Sequence, residues 1–203
     1  MTRGGSDGQI LGPAQWTMQR EWHKDAKTSV CRGCGLEMPI YAGPTHAYMG
    51  ASPACWRLYG QASTLSWGNR DGLPLLRLVV NAYGAQHPGV EQVRAVQSVA
   101  VHLMGLCTIL ERGVNCEPRL MHLRERERRP ARRTLDLHWL APPRPNGTLT
   151  VRGPLDAKGG DEHAVAVEAW ARDVWAAWEP HHATVRGWLD SASGRNARHT
   201  PGR

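Results

Sequence analysis

Cys31, Cys34, His46 and Cys55 follow one another with the spacing C-x2-C-x11-H-x8-C, and any fold of this chain has to satisfy three thiols and an imidazole held within one short stretch. Two cysteines separated by two residues can aim both sulfurs at one ion from a tight turn. In Cys31-Arg32-Gly33-Cys34-Gly35 the glycines stand where such a turn needs positive φ or a close approach of backbone. The chemistry that fits first is zinc.

The other two candidates differ in kind. Cys55 falls at the third position of a helix that Ser52-Pro53 should start, a hydroxyl cap followed by proline. There the unpaired N–H groups and the helix dipole favour thiolate over thiol. His46 follows the rigid Gly43-Pro44-Thr45 corner, from which an imidazole nitrogen can reach the cysteine turn. Three thiolates and one imidazole make a closed tetrahedral set. If only three bind, the fourth position is open to water or substrate and His46 is free to act as a base. The spacing leaves both arrangements standing.

Five cysteines in 203 residues make a poor disulfide framework for a chain expected in the cytoplasm, where thiols stay reduced. No apolar run approaches the roughly 20 residues that span a bilayer, and the N-terminus lacks the apolar stretch of a signal peptide. A redox role for Cys31-x-x-Cys34 is the weaker alternative, because Pro39 and Gly43-Pro44 stop the helix such a motif should open.

The periodicity predicts a mainly α fold, a four- or five-helix bundle-like domain with an N-terminal zinc-binding loop. Residues 1–15 and 191–203 read as tails and 16–190 as one domain. One helix is expected through Pro53 to Ser66, with Cys55, Leu58, Ala62 and Leu65 on a stripe. A second begins near Leu73-Pro74 and ends at His87-Pro88-Gly89. Glu91 to Arg112 reads as the central core helix, with Val96, Val99, Leu103, Leu106 and Leu110 on one face. Residues 140–160 are expected to be a Pro/Gly-rich loop with one short strand at Leu149 to Val151. A last helical region repeats Val167, Trp170, Val174 and Trp178 and is broken by Pro180.

Net charge is +7, with seven arginines in Arg119 to Arg133. Glu125, Glu127 and Pro130 interrupt that run and no aromatic is interleaved to stack on bases, so a solvated surface segment is favoured over a nucleic-acid contact. No HExxH, GxSxG, Walker or GxGxxG motif occurs. Four residues are candidates for proton transfer: His102 on the edge of the core helix, His87 at a helix end with Tyr83 one turn back, and His182 after Pro180.

The run Cys31-Arg-Gly-Cys-Gly-Leu resembles part of a bacterial domain family of unknown function whose members are short cytoplasmic proteins. So do Gly43-Pro-Thr-His-Ala-Tyr-Met-Gly-Ala-Ser-Pro-Ala-Cys-Trp56, Ala82-Tyr-Gly-Ala-Gln-His-Pro-Gly89, Gln97 to His102, and the late Trp170 to His182 segment. The resemblance implies that the cysteine turn, the Thr-His-Tyr block, the Gln-His-Pro block and His102 belong together. It implies no reaction. Two function classes follow: the favoured one is a zinc-dependent small-molecule enzyme of specialised metabolism, a lyase or hydrolase using histidine acid/base residues, and the alternative is a non-catalytic zinc-stabilised binding or regulatory protein, with nucleic acid at the Arg-rich segment as one partner for it.

Overall fold

The computed structural model describes residues 27–113 and 135–192. The tail expected at 1–15, the arginine-rich segment 119–133 and residues 193–203 lie outside the described residues. The protein is mainly helical. A hairpin of β1 (Thr28–Val30) and β2 (Glu37–Pro39) comes first. It is followed by α1 (Pro53–Trp67), α2 (Gly72–Gln86), α3 (Val93–Leu110), the five-residue α4 (Arg152–Asp156), α5 (Gly160–Ala177), a 3-10 turn at Glu179–His181, and α6 (His182–Ala192).

The helix starts obey local chemistry. Ser52 caps α1, its Oγ accepting from the Cys55 N–H at 3.3 Å with Pro53 in the first turn, a cap that stabilises by about 1 kcal/mol. Pro180 ends the long run of α5, and the chain restarts as α6 at His182. The hairpin was not foreseen. Its strands pair antiparallel with Ser29 opposite Met38, and its tip is the cysteine turn.

The centre of the molecule is α2, not the helix over Glu91 to Arg112. Helix α2 packs against α1, α3 and α5 together, and its last five residues, Ala82 to Gln86, are all buried. The half-exposed stripe of α2 carries Leu73, Leu76 and Val80 beside Arg77 and Asn81, so polarity marks this helix only weakly. Helix α3 flanks it and is long and apolar enough to cross a membrane by length and composition, with 56% of that stretch buried inside the fold as in a core helix.

The strand expected at Leu149 to Val151 is instead a turn leading into α4. The reason is where the backbone hydrogen bonds go. The N–H groups of Thr148 and Leu149 donate to the Asp173 carboxylate at 2.6 and 2.8 Å. The Leu149 carbonyl accepts from the Gln86 side chain at 2.7 Å. No ladder is left to form.

Tryptophan fills the space that phenylalanine would otherwise take. Trp170 and Trp178 are fully buried, and the Trp170 indole donates to Gln86 Oε1 at 3.0 Å. Gln86 thus uses both ends of its amide, because its Nε2 also donates to the carbonyls of Asn146 and Leu149 at 2.9 and 2.7 Å. A buried amide so satisfied fixes α2, α5 and the 146–149 loop in one arrangement. It sits immediately before His87.

Candidate metal centre

The sequence Cys31-Arg-Gly-Cys-Gly makes a tight knuckle at the hairpin tip. The Gly35 N–H donates to the Cys31 carbonyl at 2.9 Å and the Cys31 N–H to the Leu36 carbonyl at 2.9 Å. Gly35 holds φ +73°, a conformation that strains any residue with a Cβ. Gly33 has a different duty. A Cβ there would meet the His87 ring and lie 2.9 Å from both the Gln86 carbonyl oxygen and His87 Cα, so only glycine lets the end of α2 lie this close.

Three separate elements converge on that knuckle. Cys55 projects from the first turn of α1, and the Ser52 N–H donates to Cys31 Sγ at 3.5 Å. The 48–50 segment runs beside 87–89. Met49 bridges Pro88 and the Gly50 N–H donates to the His87 carbonyl at 3.1 Å. The result is that one ligand atom each from Cys31, Cys34, Cys55 and His87 lies within 4.8 Å of the other three. Cys31, Cys55 and His87 are buried and Cys34 is half-buried.

The distances match a tetrahedral metal. Bonds of about 2.3 Å to sulfur and about 2.0–2.1 Å to nitrogen put two sulfurs about 3.8 Å apart, and a sulfur and a nitrogen about 3.5 Å apart. Cys34 Sγ and Cys55 Sγ are 3.8 Å apart, and Cys55 Sγ lies 3.2 Å from His87 Nε2. The tautomer is fixed as a ligand needs. Nδ1–H of His87 donates to the Tyr83 carbonyl at 2.8 Å, and the His87 backbone N–H donates to the same oxygen at 3.0 Å. That leaves the Nε2 lone pair facing the sulfurs.

The electrostatics call for a cation. Hydrogen bonds from Cys34 and Cys55 draw the Cys31 thiol far below its ordinary range. Cys55 is pushed far above its own by Cys31, Cys34 and burial. Burial drives the His87 imidazole down, but the Cys31 and Cys34 sulfurs outweigh it and lift the group to about 9. Three thiols this close cannot all ionise beside one another unless positive charge sits among them. A divalent ion held there would supply it.

His46, expected as the fourth ligand, is not in this set. Its ring packs edge-on to Tyr48 (centroids 4.3 Å apart) and against Trp56 at 5.1 Å. The closing imidazole comes instead from the end of α2, because the Met49–Pro88 bridge seats the Gln-His-Pro corner on the knuckle. His87 therefore stands as a ligand candidate where proton transfer was expected of it. Tyr83 stacks on the His87 ring at 3.9 Å and is fully buried. Burial, with the Cys55 thiol behind it, raises its phenol above the ordinary value.

The remaining two histidines lie elsewhere. His102 packs its ring onto Gly84 of α2, with Nδ1 3.2 Å from Asn81 Oδ1, as a satisfied core histidine. His182 stacks on Trp175 at 3.7 Å, and its Nε2–H donates to the Trp175 carbonyl at 2.9 Å. Its other nitrogen is 3.9 Å from Glu111, a carboxylate gripped by Arg186 at 2.7 and 2.8 Å. Of the residues expected to share acid/base work, Tyr83 and His87 stay paired, whereas His102 and His182 make separate contacts. The knuckle, the His46–Tyr48 block and the Gln-His-Pro block do come together.

A cleft of about 660 Å³ opens beside the knuckle, lined by residues 32–35, 47–50, 88–90, Gln92 and 142–146. No curated protein and no solved structure matches the chain. The model of a family of unknown function, DUF5946, matches residues 29–179, a span that includes all four members of the cluster, and the chain belongs to that family.

Proposed function

We propose that Cys31, Cys34, Cys55 and His87 hold a zinc ion as a closed structural centre, and that the protein is a zinc-stabilised binding domain. The observation that carries this reading is the completeness of the donor set. Three sulfurs and one nitrogen lie within 4.8 Å of one another, and three of the four residues are buried. A structural site is closed in this way, whereas a catalytic zinc keeps a position for water or substrate. The three thiolates also favour zinc over magnesium or calcium, which take oxygen donors.

Function follows from what the ion joins. It ties the hairpin tip to the start of α1 and the end of α2, and the hairpin tip with the flanking segments 47–50 and 88–90 forms one wall of the cleft. Metal binding is then folding energy for that wall.

The zinc-enzyme reading retains one supporting observation, the cleft that Cys34 helps to line. For that reading to work, a ligand has to leave the ion to admit substrate, and His87 cannot serve at once as ligand and base. The two readings separate on chelation. Purified protein should contain one equivalent of zinc by elemental analysis with native mass. Stripping the ion should abolish the cooperative melt seen by circular dichroism. Protein that stays folded without metal and merely loses a reaction supports the enzyme, and folded protein with no stoichiometric metal refutes both.

A further inference from the structure

The cleft beside the knuckle carries two arginines. Arg32, inside the cysteine turn, contributes to one wall, and Arg144, in the Pro142-Pro143-Arg144-Pro145 segment, contributes to another. Both side chains are exposed. Neither forms an ion pair among the described residues, where the ion pairs belong to Arg112, Arg172, His182 and Arg186. Among the described residues no aspartate or glutamate lines the cleft. Two arginines on one cleft without an acid beside them give it a positive lining, and guanidinium is a preferred partner of phosphate and carboxylate.

The rest of the lining is mixed, with Gln92 and Asn146 beside an apolar side made by Pro142, Pro143 and Pro145 with Tyr48 and Met49. The volume of about 660 Å³ falls in the range of about 300–1,000 Å³ typical of small-molecule sites. It is larger than a bare inorganic anion requires.

We infer that this cleft binds a small organic oxyanion, a phosphate or carboxylate attached to a flat apolar group, with the acid between Arg32 and Arg144 and the apolar part on the proline wall. The assignment rests on the folded cleft and not on which ion the centre holds. Gln86 sets the distance between the walls, since its amide ties the 146–149 loop to the helix that ends in His87.

The test is calorimetric titration of the full-length, metal-loaded protein with phenyl phosphate, benzoate, inorganic phosphate and benzyl alcohol. Phenyl phosphate or benzoate should bind, more tightly than inorganic phosphate, and benzyl alcohol should not. Arg32→Ala and Arg144→Ala should each weaken that binding by about tenfold or more, as expected for loss of a charge-assisted contact. Both should retain the wild-type metal content and melting temperature, which separates a failed cleft from a failed metal centre. Three results would overturn the inference: no binding of any acid by metal-loaded protein, equal binding of the neutral alcohol, or arginine variants that bind like wild type. A short RNA that binds more tightly than phenyl phosphate, with a salt dependence steeper than two phosphates allow, would overturn the small-molecule assignment.

Discussion

Gly33→Ala tests the metal centre at its tightest point. The added Cβ would lie 2.9 Å from the Gln86 carbonyl oxygen and from His87 Cα, and closer still to the His87 ring. Ordinary contacts begin near 3.5 Å, so the knuckle must retreat by at least about 0.6 Å from that backbone, and further from the ring. Metal–ligand distances tolerate about 0.2 Å. The end of α2 cannot absorb the difference, because the His87 N–H and ring are both held by the Tyr83 carbonyl and Gln86 is locked by three further hydrogen bonds. Overpacking of this kind costs about 1–3 kcal/mol, which lowers zinc affinity by roughly 5- to 150-fold. Competition against a fluorescent chelator measures the affinity, and the absorption of the cobalt-substituted protein reports whether nitrogen still coordinates. Gly35→Ala is the control: its Cβ meets nothing within 4 Å, so it should add backbone strain of about 1–2 kcal/mol while keeping the spectrum of three sulfurs and one nitrogen. Wild-type affinity and an unchanged spectrum in Gly33→Ala would refute the placement of His87 against the knuckle.

His87→Ala should lose stoichiometric metal whereas His46→Ala keeps it, as elemental analysis on purified variants will show; the reverse pattern would restore His46 as the ligand. His102→Ala should leave metal content unchanged and destabilise by about 1–3 kcal/mol through the unpaired Asn81 amide and the hole beside Gly84, lowering the melting temperature by about 2–12 °C. An unshifted melt would contradict its packing role. Arg186 holds the Glu111 carboxyl down to about 2, against an ordinary value of 4.5. Its contribution to stability is therefore present above about pH 4.5 and lost as pH falls toward 2. Glu111→Gln should flatten the stability profile in that window, measured by denaturant titration, and a profile as steep as wild type would count against the network.

The sequence made some of this plain because its chemistry is local. Cys31-x-x-Cys34 with its glycines, the Ser52-Pro53 start that places Cys55 at the third helical position, and the break at Pro180 all depend on neighbours a few residues away. His87 does not. It joins Cys55 from 32 residues further on, through the backbone pairing of 48–50 with 87–89, and ligand spacing carries no trace of such a contact. The available signal was a histidine one helical turn after a tyrosine at a helix end, a pair that reads equally well as a pocket rim. His46 drew the assignment because it is closer in sequence. The role of α2 was hidden because its half-exposed stripe is mostly apolar, Leu73, Leu76 and Val80 beside Arg77 and Asn81. At Leu149 the expected strand yielded to Asp173 and Gln86, side chains distant in sequence that take up the backbone groups a strand would have used.

Gln86 and His87 are consecutive residues facing different tasks, one gripping the proline-bearing loop and the other the sulfur cluster. Whatever draws that loop inward or lets it swing out must pull on the same terminal turn that aims the imidazole, so the loop and the cluster share a single lever. Substitutions that suit the loop alone will be felt at the sulfurs, and an ion bound there would be felt at the loop.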